Sequence, residues 1–158
     1  MFDPVTFSYP VAWVNPEILR ASAALPAAGA WDATPTELNV FGASTVTLSF
    51  SYTRGAAGGA FDWQLWTSIY SVVGNVPAGA QEWVAESVLA VGAVAAGVDT
   101  QSLAQRDYQT YTSQGAAVEA FVFGPIELAG VERIRIRARE SGAVGTPGTL
   151  QITGELMP

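Results

Sequence analysis

A chain of 158 residues is long enough to bury a real core. With no cysteine, histidine or lysine it cannot build a disulfide framework, a thiolate or imidazole metal site, a Ser-His-Asp relay or a Schiff base. Fourteen acidic groups against seven arginines leave a net charge of −7, which argues against nucleic acid and anionic membrane surfaces as partners. Charged residues make up 13 % of the chain, roughly half the ~25 % of an average soluble domain, so ionic groups cannot cover its exterior.

In chain order, residues 1–36 read as an extended arm and lead-in segment, distinct from a body at 37–158. They hold Pro4, Pro10, Pro16, Pro26 and Pro35, five of the nine prolines. Phe2, Phe7, Tyr9, Trp13 and Val14 form an aromatic-rich stretch between the first of these. Proline keeps such a segment out of a central strand and suits an edge or an arm. Trp31 lies in the same proline-rich part, and these six residues are the candidate anchors for a partner. Asn15-Pro16-Glu17 could cap a short helix, but Leu19, Ala21, Ala23 and Leu25 alternate as a strand does, and the extended reading is preferred. The N-terminus lacks the basic start of a secretory signal.

From Glu37 onward the chain reads as strands. A short one is expected around Glu37–Phe41, closed by Gly42. Val46–Thr53 alternates strictly, with Val46, Leu48, Phe50 and Tyr52 on one face and Thr47, Ser49, Ser51 and Thr53 on the other. After the glycine-rich turn Arg54–Ala60, Phe61–Val73 is apolar on both faces, the pattern of a central strand, and its length implies a bulge or bend. Trp83–Val91 is another strand. Val88–Val98 is the nearest approach to a membrane span, but Gly92 and Gly97 interrupt it well short of ~18 residues. The polar stretch Ala93–Ala117 is too long for an ordinary loop and is expected to carry a strand around Gln105–Thr112. Val118–Phe123 follows, broken by Gly124-Pro125. Val131–Arg139 alternates with Ile134, Ile136 and Ala138 inward, and Thr149–Leu156, with Leu150, Ile152 and Leu156 on one face, closes the chain. Strands at this spacing, joined by Gly and Pro turns without a convincing helix, predict an all-β, two-sheet antiparallel β-sandwich, most naturally a jelly roll.

Two groups of side chains could carry function. Arg133, Arg135, Arg137 and Arg139 place four of the seven cations on one face of one strand, about 6.6–7 Å apart, so anions must lie opposite them. They form either a salt-bridge stripe against another subunit, a clamp for carboxylates or glycans, or cross-strand pairs with the domain's own acids. Five tryptophans raise the possibility of sugar stacking, against the simpler reading of core or interface for Trp63, Trp66 and Trp83. Glu82 and Glu86, roughly 13 Å apart on a strand, are too distant for a two-carboxylate glycosidase, and no Asp-x-Asp calcium loop occurs. No catalytic, cofactor or metal residue is therefore assigned, and the expectation is a non-enzymatic protein.

The phrases Ala24–Trp31, Val46–Arg54 followed by Gly55-Ala-Ala-Gly-Gly59, and Val131–Arg139 resemble small virion proteins of tailed bacteriophages, β-sandwich or jelly-roll subunits that decorate or cement a capsid or serve in the tail. The likeness covers most of residues 24–156 and lies in strand rhythm and turn phrases. It implies a homo-oligomer, with a trimer favoured, bound to the major capsid protein or other virion proteins at the capsid surface. It implies no cofactor, nucleic acid or membrane. The alternative class is a carbohydrate-binding sandwich or a tail receptor-binding module.

Overall fold

The computed structural model describes residues 15–26, 30–55, 59–68, 83–85, 95–98, 108–142 and 145–158. Among these residues nine strands run β1 (Glu17–Ala24), β2 (Glu37–Asn39), β3 (Thr45–Thr53), β4 (Ala60–Ser68), β5 (Trp83–Ala85), β6 (Gln109–Thr112), β7 (Val118–Glu127), β8 (Arg133–Glu140) and β9 (Thr149–Met157). They form two antiparallel sheets, β1-β9-β3-β7 and β2-β8-β4 with β5 and β6 both on the far side of β4. The sheets pack as a sandwich. Among the described strands only the step from β4 to β5 and β6 stays within one sheet, and every other step crosses to the opposite sheet.

β5 and β6 share one strand position. Trp66 to Ser68 of β4 pair with β5, whereas Ala60 to Trp63 pair with β6, so the two short strands lie end to end along one edge of β4. The strand expected at Trp83–Val91 is described only as Trp83–Ala85, and that at Gln105–Thr112 forms only Gln109–Thr112, with Tyr108 just ahead of it outside the strand; residues 86–91, 105–107 and, of the long strand, 69–73 lie outside the described residues.

The period-two segments fold as their patterns dictate. Val46, Leu48, Phe50 and Tyr52 of β3, Ile134, Ile136 and Ala138 of β8, and Leu150, Ile152 and Leu156 of β9 point between the sheets and are almost fully buried. Aromatic rings fill the centre: Phe50 stacks on Phe121 at 4.6 Å between centroids and leans on Trp63 at 5.0 Å, while Tyr111 stacks on Phe121 at 4.2 Å.

Three expectations are corrected. Residues 15–26 and 30–36 are not a lead-in to the body but part of it. β1 is the edge strand of the four-stranded sheet, which excludes the short helix, and Asn15 exchanges two hydrogen bonds with the backbone of Leu156, each 3.0 Å. The simple alternation in β1 also fails: Leu19, Arg20 and Leu25 are buried and Ala21 to Ala24 exposed, because two register shifts against β9 rotate the strand. Finally, Gly124-Pro125 does not end β7. The register against β3 slips there and pairing resumes at Ile126 and Glu127, so the proline is absorbed in a bulge.

Phe50 occupies the middle of the ring cluster, so Phe50→Ala should cost about 3–5 kcal/mol. Val122→Ala on the outside of β7 should stay within about 0.5 kcal/mol. Urea unfolding midpoints of the two variants check the contrast.

Candidate functional site

The outer face of the five-stranded sheet collects the arginine stripe. Cross-strand register sets Arg139 against Asp62, Arg137 against Gln64, Arg135 against Trp66 and Arg133 against Ser68. Arg139 donates from Nε to Asp62 Oδ2 at 2.9 Å, and Thr110 donates to Oδ1 of the same carboxylate at 2.8 Å. Its guanidinium lies 4.2 Å from the Trp31 ring centroid and 5.2 Å from that of Tyr108, so two aromatic faces enclose the cation. Arg135 repeats the arrangement between Trp83 at 4.3 Å and Trp66 at 5.3 Å, with Glu37 at 4.0 Å; burial lowers its pKa. Arg133 reaches Glu37 at 3.5 Å, and Arg137 donates to the backbone carbonyl of Asp32 at 3.2 Å. Each of the four thus has a partner within this chain.

The tryptophans are placed by the same scheme. Trp63 is core. Trp31, Trp66 and Trp83 are half-buried and lie against arginines. Of the proposed anchors, Phe2, Phe7, Tyr9, Trp13 and Val14 lie outside the described residues, and Trp31 covers Arg139.

Sequence reasoning missed Arg20. It is 8 % exposed, and all five of its N–H donors are used. Nε and Nη2 form a bidentate pair with Asp32 at 2.8 and 3.1 Å, while Nη1 and Nη2 donate to the carbonyls of Ala23, Ala24 and Leu150. Asp32 Oδ2 also accepts from Ala138 N at 3.0 Å, so the pair ties the β1–β9 edge to β8 of the other sheet. No spacing rule marks a residue whose partners lie 12 and 130 positions away.

Phe41 was also missed. Ala43 N donates to Val40 O at 2.9 Å across a tight turn whose third residue, Gly42, has φ of 89°, and Asn39 Oδ1 accepts from Phe41 N at 3.0 Å. The turn holds Phe41 61 % exposed beside an open depression of about 360 Å³ lined with Asn39, Glu132 and Arg133.

The outer face of the four-stranded sheet is of a different kind. Ser49, Ser51 and Thr53 of β3 lie between Val122, Ala120 and Val118 of β7 and Thr153, Gln151 and Thr149 of β9. None of these nine side chains ionises. Val118 and Val122 are 60 % and 56 % exposed. The acids Glu127 and Glu155 lie toward one end of this face, beside Thr45 and Thr47.

The most deeply buried carboxylate takes no part in the ion pairs found among the described residues. Glu140 is 1 % exposed; its Oε1 accepts from Gly148 N at 2.5 Å, and its Oε2 has no partner among the described residues. Burial raises its pKa, and burial together with the neighbouring Glu140 charge pushes Tyr52 up to about 12. A Cβ on Gly148 would come within 2.5 Å of the Tyr52 ring, so only glycine fits at this crossing. Among the described residues no three acidic side chains converge as a cation would require. No family model, curated protein or solved structure matches this chain.

Two outcomes follow. Arg20→Ala should lower stability by about 3 kcal/mol, the lower end for a broken buried pair because Asp32 keeps some solvent access; urea unfolding measures it. The raised pKa of Glu140 means that the native state holds its proton more tightly than the unfolded chain. Its stabilising share is complete below the ordinary value of 4.5 and is lost as pH rises through the raised one. Glu140→Gln keeps an acceptor for Gly148 without a charge. Its melting temperature relative to the wild type should therefore climb between pH 4 and pH 7, and parallel curves would refute the assignment.

Proposed function

We propose that this chain is a structural subunit of a virion, a capsid decoration or cement protein that binds copies of itself and the shell through protein–protein contacts. The observation that carries this reading is the neutral outer face of the four-stranded sheet. Nine neighbouring positions on three strands present only Ser, Thr, Gln, Ala and Val. In a chain of net charge −7 that is the surface on which another acidic or neutral protein can settle without like-charge repulsion and without stripping water from ions.

Within this reading the sandwich is a jelly roll. The strand orders β1-β9-β3-β7 and β2-β8-β4-β5/β6 support it, since a chain that steps between two four-position sheets in this way winds two Greek keys around one core. The resemblance to small phage virion sandwiches points the same way. The aromatic segment Phe2–Val14 then supplies a second anchor, its connection to the body fixed by Asn15 against β9. Many weak attachments across a shell add up through effective concentration.

Ser51→Arg puts a charge at the centre of the neutral face. It should leave the melting curve unchanged and reduce retention on virions of the virus that encodes the chain by more than tenfold, read by co-sedimentation. Antibodies against the chain should label the surface of those virions. Absence of label, or full retention of the Ser51→Arg variant, overturns the reading.

A second reading, a carbohydrate-binding sandwich, has one observation in its favour. Phe41 displays an aromatic face beside the amide of Asn39, the carboxylate of Glu132 and the guanidinium of Arg133, the mixture of flat apolar surface and planar polar groups that saccharides meet in their sites. A glycan array distinguishes the two: binding lost in Phe41→Ala supports the saccharide site, and a blank array removes it.

A further inference from the structure

The four-stranded sheet ends in β7, and nothing among the described residues pairs with its far edge. Other edges of the molecule are poor templates for a partner strand. β1 carries two register shifts, β2 and β5 have three residues each, and β6 has four. β7 keeps an unbroken register against β3 from Val118 to Phe123. Natural edge strands usually block pairing with an outward charge or an early bulge. Here the outward row Val118, Ala120, Val122 has no charge, the inward charge of Glu119 is taken up by Ser113, Gln114 and Ala116 of its own chain, and the bulge with its proline comes only at Gly124-Pro125.

We infer that the far edge of β7 pairs with β7 of a second copy, antiparallel and about a two-fold axis at Ala120, joining the two four-stranded sheets into one. This inference deepens the self-association in the proposed function and rests on that reading. The outward row selects the occupant: Val118, Ala120 and Val122 read alike in both directions, so a second copy running antiparallel meets them in register, and because none of the three is charged the contact brings no like charges of the two −7 chains together. The register is set by the ends. Centring on Val122 would bring the Gly124-Pro125 bulge into the ladder, and centring on Val118 would bring in the turn that Glu119 holds through Ser113, Gln114 and Ala116. Centring on Ala120 keeps both out. It sets Val118 of each copy against Val122 of the other, with the two Ala120 side chains face to face at the axis, where small residues allow close approach. The shared neutral face then doubles in width, continuous with the surface proposed for docking. Such an isologous contact makes dimers, and the trimer implied by the resemblance would use another surface.

Because the chain has no cysteine, Ala120→Cys introduces the sole thiol, and directly opposed strand positions lie within disulfide range. Under mild oxidation the full-length Ala120→Cys chain should cross-link to a dimer nearly completely, whereas Thr153→Cys, on β9 of the same face, should not. The wild type should sediment as a dimer at tens of micromolar, and Ala120→Lys as a monomer with the same circular dichroism and melting curve. Val118→Glu combined with Val122→Lys should restore the dimer lost in Val122→Lys alone, because the new charges meet across the axis. A wild type that is monomeric throughout, or an oligomer that survives Ala120→Lys while Ala120→Cys stays uncross-linked, overturns the pairing. Should Ala120→Lys disrupt folding, the cysteine pair alone decides. Virion labelling together with absent cross-linking would reject this contact and leave the proposed function standing; cross-linking without virion labelling would do the reverse.

Discussion

The constraint on which the rest of the molecule depends is the pair between Arg20 and Asp32. A guanidinium withdrawn from water is tolerable only when each N–H finds an acceptor, and here one carboxylate and three carbonyls supply five. The geometry of those acceptors fixes more than one side chain. It pins the irregular end of β1 to β9, and through Asp32 to Ala138 it holds residues 30–36 along β8, beyond the end of β2. Trp31, next to Asp32, is thereby carried over the Arg139 guanidinium. A buried polar contact thus organises an aromatic cover on the outside of the opposite sheet.

What was legible in the sequence follows from this. Strands β3, β8 and β9 are regular, exposed to water on one side, and obey the period of two, so their inward rows could be read directly from Val46–Thr53, Val131–Arg139 and Thr149–Leu156. β1 could not be read so far, because its bulges place Leu19 and Arg20 both inward, and an arginine among alternating apolar residues carries no sign of burial. β7 was cut short at Gly124-Pro125, since local chemistry marks a break there while the bulge that bridges it depends on β3. The sharing of one edge by β5 and β6 is likewise a property of β4, visible only from its two ends.

The candidate site divides along the same line. The outward direction of Arg133, Arg135, Arg137 and Arg139 is local and was legible; their partners are not local. Asp62 is 77 positions from Arg139, and the tryptophans that flank the guanidinium groups come from three separate segments. Arginine suits this setting because its planar, weakly hydrated cation can lie against a ring face while its edge reaches a carboxylate. The turn that displays Phe41 escaped notice for a simpler reason: one aromatic residue before a glycine reads as the end of a strand.

The poverty of charge and the neutral face are two consequences of one distribution. Of the arginines, Arg20, Arg133, Arg135 and Arg139 are engaged with Asp32, Glu37 and Asp62 on or near the five-stranded sheet. Concentrating cations there leaves none on the outside of β3, β7 and β9, where Ser, Thr and Val remain. A surface of that composition forms few strong bonds to water and gives up little when covered, while the absence of opposed charge means nothing orients the cover except shape and backbone hydrogen bonds. The unbroken register of β3 against β9 suits a partner surface, and an open ladder along β7 suits a partner strand. The same sheet therefore combines a face that tolerates contact with an edge that can set its register.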